Sequence, residues 1–249
     1  MYGWRARLGL LLPMDNAVAE PEWWSVLPDG VAAYVTRLTS RDRPAMPANG
    51  VELSECFDEL GVDVVGYGCA ETSFLGATDV NRWIGEQISE RVGVPAVTTS
   101  YAMIDALAAL GARRIAVCSP YPDGANDALV GFLEGHALEV VSFAAEDLVS
   151  PEGRRREWDR TNRQPPSTAV SLARQADVPT ADAILISATN LRTFDVLTQL
   201  ETDLGKPVIS SSSALLWNML RASGVADVVV ALGTLGRRPA PEIPAGVAT

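Results

Sequence analysis

The chain reads as an α/β protein made of two similar halves around parallel sheets, and three observations carry that reading. Short apolar runs bounded by Gly, Pro or Asn alternate with longer stretches of helical period, the pattern of strand–helix units. Three pairs of segments then match in the same order: "RLGLLLPMDNA" (7–17) with "RIAVCSPYPDG" (114–124), "DVVGYGCAET" (63–72) with "DAILISATNL" (182–191), and "GVPAVTTS" (93–100) with "GKPVISSS" (205–212). Finally, the strands of both halves run into polar turns.

The strands are predicted at 7–13, 62–68, 95–100, 113–120, 138–143, 182–188 and 207–212. Between them, residues 79–93 and 101–112 carry the apolar spacing and the closing Gly of helices. Ser100 and Ser212 suit helix caps. The Pro-rich tail from 236 onward is given no function. The repeat implies two pseudo-symmetric, Rossmann-like α/β domains with parallel sheets and an active-site cleft between them. Their expected extents are 1–101 plus 213–249, carrying Cys69, and 102–212, carrying Ala188. Ligands of open parallel sheets sit outside the carboxyl ends of strands, so the turns beginning at Cys69 and Ala188 should face each other.

Composition narrows the function. A net charge of -11 and a pI near 4.6 argue against a nucleic-acid or anionic-membrane partner. The arginines at 154, 155, 156, 160 and 163 are interleaved with Glu157 and Asp159 and read as a solvated surface. No window reaches the apolar length of a membrane span, and the start lacks the features of a signal peptide. Three widely spaced cysteines suit a reducing, cytoplasmic setting. With His136 the single histidine, a zinc site or a His-based triad has little raw material.

Cys69 lies where a strand ends and a helix begins. Free N–H groups there, that of Ala70 among them, can bind an anion and lower a thiol pKa, favouring a thiolate nucleophile. Cys118, inside an apolar run, reads as core, and Cys56, at helical spacing among apolar residues, as structural. Asn16 offers an amide that can hold a carboxylate, and Tyr121 a hydroxyl that can donate a hydrogen bond or a proton, although both also fit ordinary turn chemistry. Ser187, Thr189 and Asn190 add polar groups from the second half. Two carboxylates, one gripped by each half, make a small dicarboxylate the natural ligand.

Together, the "P-x-x-N" after the first strand, the cysteine after "VVGYG", "SPYPDGAN" and "SATNLRT" followed by "GKPVISS" resemble the aspartate/glutamate racemase superfamily over about residues 5–225. The maleate cis-trans isomerases are the most similar branch, with arylmalonate decarboxylases and ectoine-utilisation isomerase-like proteins as neighbours. The resemblance implies that Cys69 adds to a double bond, that Asn16 and Tyr121 hold substrate carboxylates, and that Asn162 stands in for a further substrate-binding asparagine. It also implies a homo-oligomer.

The departure is Ala188, where the family usually places a second cysteine. An alanine transfers no proton, so two-base racemisation is crippled. In the resemblance, malonate decarboxylases keep the second cysteine and lack the first, the reverse of this chain. Thiolate addition, rotation and expulsion need one thiol and no cofactor, because the conjugated acid is its own electron sink. The expected function is therefore cis-trans isomerisation of maleate or a related small dicarboxylate. The alternatives are a racemase or decarboxylase of the same superfamily and an inactive small-acid binding protein.

Overall fold

A computed structural model of the chain describes residues 2–75, 78–149 and 158–239. The first half runs β1 (Ala6–Pro13), α1 (Ala19–Val26), β2 (Val31–Leu38), α2 (Met46–Leu53), β3 (Val64–Tyr67), α3 (Ala70–Phe74), α4 (Thr78–Val92), β4 (Ala96–Thr98) and α5 (Thr99–Leu110). The second continues β5 (Arg114–Ser119), α6 (Asp123–Gly135), β6 (Glu139–Ala145), α7 (Asp159–Asn162), α8 (Pro166–Ala176), β7 (Ala183–Ile186), α9 (Leu197–Leu204), β8 (Val208–Ser210) and α10 (Ser211–Ala222).

The strands form two parallel sheets of identical order, β2-β1-β3-β4 and β6-β5-β7-β8. The internal repeat is thus a repeat of topology. In each sheet the two inner strands are near-continuous apolar runs, as strands covered on both faces must be. Their carboxyl ends open onto the turns that carry Asn16, Cys69, Tyr121 and Thr189.

All seven predicted strands form, five of them two or three residues shorter than expected and two a residue longer. An eighth, β2, was not anticipated. "VAAYVTRL" is an edge strand whose first residues are buried and whose middle is half-buried, so it shows neither alternation nor an unbroken apolar run. The repeat held the missing signal, because its counterpart β6 was recognised.

The two expected helices form as α4 and α5, and Gly93 and Gly111 follow them in the left-handed conformation at φ +72°. The caps differ from expectation. Ser210, not Ser212, caps α10, through a reciprocal capping box with Ser213. Ser212 instead accepts a hydrogen bond from Trp23 Nε1 at 3.0 Å, and Ser100 lies inside the first turn of α5 against the Ser73 hydroxyl. Two residues of register separate each cap, Thr98 and Ser210, from these positions, below what composition resolves.

Helices α5 and α10 pack together and tie the halves, with Asn218 Nδ2 donating to Asp105 Oδ2 at 2.7 Å in the buried seam. Met219 of α10 lies flat on β3 because Gly66 has no side chain: a Cβ there would stand 2.2 Å from the Met219 sulfur. Cys118 is fully buried in β5, as expected. Cys56 is exposed, against the expectation of a structural role at helical spacing. A 3₁₀ turn over Ser54–Phe57 breaks that period and leaves the thiol beside the Thr36 hydroxyl at 3.0 Å. Arg154, Arg155, Arg156 and residues 240–249 lie outside the described residues. No described helix is long and apolar enough to cross a membrane.

Candidate active site

The Cys69 turn is built by Gly68. Its N–H donates to the Leu11 carbonyl at 2.7 Å, and a Cβ at this position would stand 2.8 Å from that same oxygen and 2.6 Å from Leu12 Cδ2. Only glycine lets the chain leave β3 flush against β1. Cys69 then occupies the N-cap of α3 and lines a cavity of about 90 Å³ at the strand ends.

Burial pushes the Cys69 thiol up to about 11. Hydrogen bonds from the Thr72 side chain and backbone pull it down, the nearby Glu71 carboxylate raises it, and the Arg43 guanidinium lowers it. The expectation of a thiol lowered by a helix start is therefore corrected. The Thr72 backbone N–H acts in the expected sense, but α3 has five residues and desolvation outweighs it.

The second half meets this turn through Thr189. Its hydroxyl donates to the Gly68 carbonyl at 3.3 Å and accepts from Asn16 Nδ2 at 3.1 Å, so three of the turns named from sequence converge on one oxygen. Asn16 Oδ1 accepts from the backbone N–H groups of Val18 and Ala19, both at 3.0 Å. That leaves one amide hydrogen of Asn16 for a ligand. Ala70, Asn190 and Tyr121 also line the cavity. Tyr121 is wedged between Phe74 and Trp158, each ring centroid 5.8 Å away. Burial drives its hydroxyl far up, which keeps it a neutral donor.

Ser187, Ala188 and Asn162, all named from sequence, lie outside the lining. Ala188 is fully buried behind the Thr189 turn, so the second half contributes no thiol to the cavity. Asn162, expected as a substrate ligand, acts on the protein instead. Its Nδ2 donates to the Asp15 carbonyl at 2.8 Å and its Oδ1 accepts from Ala17 N at 3.1 Å, clasping the backbone on both sides of Asn16.

The sequence reading missed the groups that charge the cavity. Arg41, Arg43 and Met46 line it from the segment after β2, and Glu71 from the Cys69 turn itself. Arg43 Nε stands 3.0 Å from Glu71 Oε1, and Glu71 is nearly buried. With β2 unrecognised, nothing placed Arg41 and Arg43 at a strand end. Glu71 lies inside "GCAETS", where the sequence does not distinguish a cavity carboxylate from an ordinary acidic residue in a first helical turn. No three His, Cys, Asp or Glu side chains among the described residues are grouped to hold a metal ion.

Two parallel sheets of matched topology with a small cavity at their strand ends, walled by one thiol, have the form of a small-molecule site. The arylmalonate decarboxylase family model matches residues 47–236, and the chain belongs to that family. It is 29% identical to arylmalonate decarboxylase from Bordetella bronchiseptica over 225 residues, covering 86% of each chain. It is 22% identical to maleate isomerase from Pseudomonas putida over 247 residues, covering 92% of this chain and 96% of the relative. The fold superposes on a cysteine-to-alanine variant of maleate isomerase from Pseudomonas putida S16 crystallised with maleate, at a TM-score of 0.84 and 23% identity, over 94% of this chain and 98% of that one. The expected resemblance thus holds at the level of family and fold, and the named relatives are a decarboxylase and isomerases.

Proposed function

We propose that this chain is a cofactor-independent cis-trans isomerase of maleate or a closely related small dicarboxylate, with Cys69 as its nucleophile. The observation that carries the reading is the asymmetry of the cavity: Cys69 lines it and Ala188 is buried and inert. Addition and expulsion at a single sulfur need one thiol, whereas removing and returning a proton on opposite faces needs two groups.

In this reading the Cys69 thiolate adds to one alkene carbon, and the alkene electron pair moves into the adjacent carboxylate as an enediolate. The central bond, now single, rotates. The pair then returns, the C–S bond breaks and the trans acid leaves. The remaining Asn16 amide hydrogen, the Tyr121 hydroxyl and Asn190 are the donors for the developing charge, and Arg41 and Arg43 balance the dianion. The named maleate isomerases among the relatives support the substrate.

Decarboxylation of a malonic acid is the second reading, favoured by the higher identity to arylmalonate decarboxylase. Proton NMR of maleate and of phenylmalonate with the chain, in D₂O, separates the two. Fumarate from the parent and none from Cys69→Ala supports the isomerase. Deuterated phenylacetate with no fumarate supports the decarboxylase.

A further inference from the structure

We propose that Glu71 is the proton carrier of this site, the group that takes the Cys69 proton as sulfur adds to the substrate and returns it as sulfur leaves. The inference rests on the isomerase reading for its substrate and on the cavity alone for its geometry.

A neutral thiol is a poor nucleophile, so its proton has to go to an acceptor as the C–S bond forms. The second thiol that the family resemblance would supply is absent, because Ala188 stands in its place. The titratable and charged groups facing the cavity are Cys69, Glu71, Asp15, Arg41, Arg43 and Tyr121. Arginine stays protonated, and buried Tyr121 is already a neutral donor, so neither accepts a proton. Two carboxylates remain.

Glu71 and Asp15 differ in placement. Glu71 shares the turn of Cys69 with one residue between them, and its charge acts on both the Cys69 thiol and the Tyr121 hydroxyl. Asp15 sits on the turn after β1, half-buried, where Asn162 holds its backbone carbonyl, and it does not share the Cys69 turn. Arg43 Nε lies 3.0 Å from Glu71 Oε1, and both residues line the cavity with Cys69, which puts the carboxylate in the same wall as the sulfur.

The step balances without a further reactant. As Sγ bonds to carbon, the S–H bond breaks and its proton passes to the Glu71 carboxylate, while the alkene pair moves into the substrate carboxylate. After rotation the pair re-forms the alkene, the C–S bond breaks, and the departing sulfur recovers its proton from Glu71.

The test compares the parent chain with Glu71→Gln and Glu71→Asp, using Cys69→Ala as the blank. Alkylation of Cys69 by iodoacetamide at pH 7 is followed by peptide mass spectrometry, and maleate turnover by NMR. A proton carrier predicts Cys69 alkylation slowed about tenfold or more in Glu71→Gln, turnover lowered about a hundredfold with KM little changed, and partial recovery of both in Glu71→Asp. Alkylation as fast as the parent's, or faster, in Glu71→Gln overturns the proposal, because removing a like charge that only raises the thiol pKa would free the thiolate. Equal losses in Gln and Asp variants also overturn it, since the carboxylate would then be serving the fold. If the parent makes no fumarate while the alkylation pattern holds, the role of Glu71 stands and the maleate reading falls.

Discussion

Thr189 donates its hydroxyl to the carbonyl of Gly68, 121 residues away in sequence, while accepting a hydrogen bond from Asn16. This contact is where the two halves of the chain become one site. Replacing Thr189 by Val keeps its shape and strands both a carbonyl and an amide in a buried place. The expected cost is about 1–3 kcal/mol in urea unfolding, with a larger fractional loss in kcat/KM than in folded protein.

Asn162 holds the Asn16 turn without lining the cavity. Asn162→Ala should cost about 1 kcal/mol of stability and raise KM more than it lowers kcat, because the Asn16 amide loses its fixed position. Steady-state kinetics show the split. A collapse of kcat at unchanged KM would mean that Asn162 serves the chemistry itself.

Gly68 precedes the nucleophile and leaves no room for a methyl group. Gly68→Ala must shift backbone, since the obstructing atom is the Leu11 carbonyl oxygen. We expect a loss of about 1–3 kcal/mol and a marked fall in Cys69 alkylation. Gly124→Ala, with open space around its Cβ, is the control that should leave both near the parent values.

Glu22 on α1 accepts from the backbone N–H groups of Thr193 and Phe194 at 2.6 and 3.0 Å, while its other oxygen is buried without a partner. Burial raises its pKa from an ordinary 4.5 to about 7. The fold therefore favours the protonated form. Its contribution is complete below about 4.5 and is lost as pH rises through about 7, by at most about 3 kcal/mol. Stability measured from pH 4.5 to 7.5 should fall across that window in the parent and stay flatter in Glu22→Gln. Equal slopes in both would place the titration elsewhere.

The sequence carried the fold through its repeat, because three matched segments in order are a statement about topology that single apolar runs cannot make. It located Cys69, Asn16, Tyr121 and Thr189 because each follows a strand in a polar turn, where parallel sheets put their ligands. It lost β2 because a half-buried edge strand has no clean period, and with β2 went Arg41 and Arg43. It misjudged the Cys69 thiol because burial is a property of what packs around a residue, and no local motif records that. Asn162 stood out for its residue type, and only the structure shows that both ends of its amide hold the Asn16 turn.

The central claim is that Cys69 forms a covalent bond to the substrate during turnover. Its most direct test is rapid quenching of the chain with maleate, followed by peptide mapping. The account predicts a four-carbon dicarboxylate adduct on the Cys69 peptide, absent from Cys56 and Cys118, and no turnover in Cys69→Ser. Fumarate production by Cys69→Ser at the parent's rate, with no adduct on the Cys69 peptide of the parent, would contradict it.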